Sequence, residues 1–95
     1  MKKGDSITLR KNSCVLLFED DSRIGKRNMP LYFNHHWLEE DIEGKIIKVK
    51  KFLDTNDYSW LLYKISTNKF FITKKRKVIL RSVWIVKEKE KVKNG

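Results

Sequence analysis

Alanine and glutamine are absent from this 95-residue chain, and cysteine and proline occur once each. Lacking the best helix former argues against a helical bundle. With Cys14 alone no internal disulfide can form, and a reducing cytosol is the natural setting. No run approaches the roughly 18 apolar residues of a membrane-spanning helix. Behind the basic Met1-Lys2-Lys3, the polar Gly4-Asp5-Ser6 interrupts any apolar stretch, so no signal peptide is expected. The four glycines are isolated, which excludes a glycine-rich phosphate loop.

Acidic residues are scarce in one half only. Residues 1–43 carry seven Lys/Arg against eight Asp/Glu, and residues 44–95 carry fifteen against four, so the whole net charge of +10 belongs to the second half. Such asymmetry is an electrostatic footprint for a polyanion more readily than a general aid to solubility. The densest point is Lys74-Lys75-Arg76-Lys77, between two apolar runs. Four adjacent like charges repel one another, so they mark either a well-solvated turn or a site for an anionic partner. At 40% hydrophobic and 12% aromatic residues, the chain can still bury one modest core.

Periodicity predicts a β-rich domain over residues 1–87 and a charged, disordered tail over 88–95. Residues 6–10 (SITLR) alternate as a strand, and residues 13–18 (SCVLLF) form a short apolar strand covered on both sides. Residues 19–30 read as a loop. Asn34 is expected to cap a short helix reaching Glu43, with Leu38 and Ile42 on one face. Three further strands follow: GKIIKVKKF, YSWLLYKIS and KFFITKKR. A polar turn at 54–57 joins the first two, and a hairpin at Thr67-Asn68 joins the next pair. A last apolar stretch, VILRSVWIVKE, is expected to split around Arg81-Ser82.

The order Gly4-Asp5 with an apolar strand, then Glu43-Gly44-Lys45-Ile46-Ile47-Lys48-Val49, then Leu61-Leu62-Tyr63-Lys64-Ile65, then Phe70-Phe71-Ile72, resembles SH3-like barrels of the KOW/Tudor kind. It covers about two-thirds of the chain and implies an all-β barrel of five to six short strands. Residues 11–43 would then be an enlarged loop or insertion. An OB-type barrel is the alternative, although no helix between its later strands is visible. The Lys-, Ile- and Asn-rich composition also resembles small bacteriophage-encoded proteins, which would place the chain in a host cytoplasm.

Signals for catalysis are weak. His35 and His36 are adjacent and so diverge, without the spacing of a metal site. Cys14 sits in an apolar run and reads as a small buried hydrophobe. The acidic sets Glu19-Asp20-Asp21 and Glu39-Glu40-Asp41 lack the order of a calcium loop. Neither a catalytic residue, a metal nor a cofactor is expected. Binding reads better. If Ile47 and Val49, then Leu61, Tyr63 and Ile65, then Phe70 and Ile72 line the core, the opposite face carries Lys48, Lys50, Lys64, Lys69 and Lys75 among Tyr58, Trp60 and Phe71. Lys51, Lys74, Arg76 and Lys77 extend it. Trp84 belongs to the core. Lysines that neutralise phosphates, interleaved with aromatic faces, suit DNA or RNA bound with low sequence specificity. The alternative is a protein-interaction module, using Tyr32, Phe33 and Trp37 toward a host or cellular protein. No amphipathic basic helix points to a membrane.

Overall fold

The structure, a computed structural model, describes residues 1–20, 34–54 and 56–90, the side chains at 52–54 and 90 excepted. All elements among them are strands: β1 (Ser6–Leu9), β2 (Cys14–Leu17), β3 (Asn34–Trp37), β4 (Ile42–Asp54), β5 (Tyr58–Ile72) and β6 (Ile79–Glu90). They form one antiparallel sheet in the order β1-β4-β5-β6-β2-β3.

That order forces the sheet to curl. β1 and β2 stand four places apart, about 19 Å across a flat sheet at ~4.8 Å per strand. Only residues 10–13 join them, and the Ser13 N–H donates to the Arg10 carbonyl at 3.1 Å. A turn keeps its ends within about 7 Å, so β1 reaches β2 only if the sheet wraps round. The result is a six-stranded half-barrel. Asp41 pins the turn, its carboxylate accepting the Lys11 N–H at 2.7 Å and an Arg10 Nη1 bond at 3.4 Å.

The inside of the curl holds Leu9, Val15, Leu17, Leu38, Ile42, Ile46, Tyr63, Ile65, Phe71, Val83 and Ile85. A second cluster on the outer face joins Leu16, Phe18, Leu62 and Trp84. The run CVLL is apolar throughout because β2 serves both clusters, as its sequence implies. Trp84 is buried, as expected.

Several expectations are corrected. The helix at 34–43 is instead β3, a bend at Glu39-Glu40 and the start of β4. Leu38 and Ile42 do both enter the core, and this four-residue spacing mimics a helix face, but β3 pairs with β2. Residues 11–43, expected as an enlarged loop or insertion, supply two strands, β2 and β3. The Thr67-Asn68 hairpin does not form: β5 is continuous, with a wide irregularity between Ser66 and Phe71. There the Lys69 N–H donates to Thr67 Oγ1 at 3.3 Å, closing a local kink rather than a chain reversal. β6 likewise does not split at Arg81-Ser82, and it runs through Glu90, past the expected domain end at 87. Residues 91–95 of the expected tail, residues 21–30 of the loop and Leu31-Tyr32-Phe33 lie outside the described residues.

The facing assigned to apolar residues is corrected near Ile47 in β4 and at the end of β5. In β4 the core takes Ile42 and Ile46, and Ile47 stands at the shift between Ile46 and Lys48, 38% exposed. Val49 keeps the inward side opposite Tyr63, as assigned, but is also 38% exposed. In β5 Phe71 lies inward, in step with Tyr63 and Ile65, and Phe70 and Ile72 are about 60% exposed, because β5 is one continuous strand whose alternation carries through where a hairpin was expected.

Candidate nucleic-acid interface

Directly paired residues share a face of the sheet, so the ladder assigns the basic residues. On the outer face one row runs Lys48, Lys64, Trp84, Leu16 and His35 across β4, β5, β6, β2 and β3. The row beside it holds Lys50, Leu62 and Val86, and that on the other side Ser6, Lys45, Ser66 and Ser82. Lys45, Lys48, Lys50 and Lys64 therefore gather on one face of β4 and β5. The shift at Ile47 makes this possible, because it puts Lys45 and Lys48 on the same side. Lys45 escapes strict alternation for that reason.

Lys64 is half-buried, with its ammonium 5.7 Å from the centre of the Trp84 ring. Trp84 also meets Phe18 edge to face at 6.0 Å. This aromatic floor supports Lys64 from below and offers the cation a favourable quadrupole. Lys45, Lys48 and Lys50 have no carboxylate partner among the described residues.

The remaining candidates do not all join this group. Lys51 pairs with Leu61 and so faces the other way. Lys69 forms an ion pair with Glu40. Phe71 is core, edge to face with His36 at 5.4 Å, and is no stacking platform. Tyr58 and Trp60 stand at the far end of β5, opposite Glu90 and Glu88, with Trp60 half-buried.

Lys74, Lys75, Arg76 and Lys77 form the β5–β6 turn. Buried Thr73 closes it: its N–H donates to the Val78 carbonyl, and its hydroxyl accepts the Val78 N–H, each at 3.0 Å. Lys77 takes a left-handed backbone, φ 57°. Glu19, just past β2, accepts the Arg76 N–H at 3.0 Å and its Nε at 3.2 Å. The Lys74 N–H donates to Asn34 Oδ1 at 3.1 Å. One of the four cations is thus neutralised within the fold, while Lys74, Lys75 and Lys77 remain exposed. Glu19 and Asp20 also line a pocket of about 200 Å³ with Lys64, Ser82 and Trp84. Carboxylates therefore stand between the sheet-face lysines and the turn, and the basic surface is two patches rather than one track.

Two exposed aromatic groups lie outside the expected nucleic-acid set. Phe70 carries the Arg81 guanidinium 4.8 Å above its ring, and Trp37, named above only for protein contact, is 65% exposed on the edge strand β3. Among the described residues, no group of three or more His, Cys, Asp or Glu is arranged to hold a metal ion. Comparison with protein-family models, with curated protein sequences and with solved structures finds no match.

Proposed function

We propose that this chain is a non-enzymatic, cytoplasmic nucleic-acid-binding module on an SH3-like barrel, gripping phosphates with little regard for sequence. The observation that carries the reading is the outer-face pairing of Lys48 with Lys64, flanked by Lys45 and Lys50. A polyanion laid on this face neutralises Lys45, Lys48 and Lys50 and releases its own counterions as it binds. The turn lysines 74, 75 and 77 add a second contact. Anisotropy titrations against duplex DNA, single-stranded DNA and RNA over a salt series test this. Binding whose salt slope corresponds to roughly four or more displaced counterions is the expected result. Binding to none of the three at low salt rejects the reading.

A second reading is a protein-interaction module, and exposed Trp37 favours it, since tryptophan is a frequent interface anchor. Charge reversal at Lys48 and Lys50 separates the two. It abolishes nucleic-acid binding under the first reading and spares a complex made through Trp37 under the second.

A further inference from the structure

The end of the β5–β6 hairpin presents apolar side chains to solvent on one face. Phe70 and Ile72 lie two apart on β5, and Ile72 pairs directly with Ile79 of β6. They are 61%, 59% and 64% exposed. Arg81, two residues beyond Ile79, lies over the Phe70 ring. Residues 69–81 carry six Lys/Arg and no Asp/Glu. The hairpin end is also firmly held, by Thr73, by Glu19 on Arg76 and by Asn34 on Lys74. A rigid ribbon with an apolar bar, rimmed by cations, needs a partner that is anionic outside and apolar within.

We propose, resting on the nucleic-acid reading above, that this bar is a wedge for duplex DNA. Ile72 and Ile79 enter from the minor groove and part a base step, while Lys74, Lys75 and Arg81 hold the flanking phosphates. The bases are the apolar interior and the phosphates the anionic exterior. Apolar wedges of this chemistry kink a duplex by roughly 20–90°. Rigidity favours DNA over a lipid surface, because parting a base step has a cost that a yielding loop does not transmit, whereas a bilayer asks for no stiffness. The lysine-rich rim disfavours a protein partner, since lysine is depleted at such interfaces.

The test uses the full chain and a duplex of about 30 base pairs, a length over which such bends are resolved, with a donor and an acceptor dye at its ends. Anisotropy reports binding and energy transfer reports bending in the same sample. The expected result is saturable binding with a rise in transfer. Ile72→Ser with Ile79→Ser, both at exposed positions, should keep the melting temperature and the salt slope, lose the rise in transfer, and weaken binding about tenfold or less. Lys74→Ala with Lys75→Ala should lower the salt slope by about 2 yet still bend the duplex at saturation. Binding without any change in transfer overturns the wedge and leaves the phosphate-binding reading standing. Bending that survives the double serine change overturns it too, as does tighter, isoleucine-dependent binding to vesicles of phosphatidylcholine and phosphatidylserine. Absence of duplex binding at any salt rejects the wedge, and the nucleic-acid reading falls with it if RNA and single strands also fail.

Discussion

Lys48 of β4 stands directly across the ladder from Lys64 of β5, and Lys64 in turn lies over the buried Trp84 ring. Lys48→Glu turns a like-charge pair into an opposite pair. It should raise stability by about 0.2–1 kcal/mol and lower the salt slope of polyanion binding by at least about 1. Stability and binding move in opposite directions only if the pair is kept for a ligand. Urea denaturation beside a salt titration checks both, and an unchanged salt slope would remove Lys48 from the interface.

Gly44 lies where β4 crosses closely over β5. A Cβ there would come 2.5 Å from Ile65 Cγ2 and 2.6 Å from the Ser66 carbonyl oxygen. The backbone oxygen cannot step aside as a flexible side chain could. Gly44→Ala should therefore cost about 1–3 kcal/mol through overpacking, read as a lower urea midpoint at constant slope. A midpoint that stays put would mean the two strands are less tightly apposed.

Thr73→Val keeps the shape of a fully buried side chain and removes the acceptor for the Val78 N–H. The expected loss is about 1–3 kcal/mol. Amide exchange at Val78 should accelerate more than at Ile65 in the centre of β5, since the damage begins at the turn.

The adjacent phenylalanines give a direct test of the facing along continuous β5. Phe71→Ala should cost about 3–5 kcal/mol, as for other buried phenylalanines, and should perturb the His36 ring resonances across their contact. Phe70→Ala, at a position 61% exposed, should cost under about 1 kcal/mol. Equal costs would mean that β5 does not keep its alternation through to Ile72.

Glu19→Gln removes the charge that neutralises Arg76 while keeping one acceptor for its N–H. The turn should loosen by about 1 kcal/mol, as for a hydrogen bond to a charged group partly retained. The salt slope of polyanion binding should steepen by about 1 as Arg76 becomes available. A slope that does not change would show that the turn takes no part in binding.

Much of the fold is legible in local pattern, for which period-2 alternation and turn residues suffice. The positions of β1 and β2, the covering of β2 on both sides, the polar turn before Tyr58 and the basic turn after Ile72 all follow from it. Where the reading fails, a long-range contact overrides the local signal. Asn34 to Trp37 become strand because β2 offers them a ladder. Leu38 and Ile42 reach one core from either side of a bend. The lysine face is half legible: Lys48, Lys50 and Lys64 come from alternation, whereas Lys45 joins them only through a register shift that no local signal marks.

By itself, the sequence determined that this protein is β-rich, that its positive charge lies in the second half, and that a tetrabasic turn separates two apolar strands. These are properties of composition and of short-range periodicity, which the chain carries before it folds. Only the tertiary structure decided which members of each apolar pair are buried, that Phe70 rather than Phe71 meets solvent, and that carboxylates divide the basic surface in two. A curled sheet joined by a four-residue turn cannot keep every strand in regular register. The shift in β4 puts Lys45 outward with Lys48, while the unbroken course of β5 decides between Phe70 and Phe71.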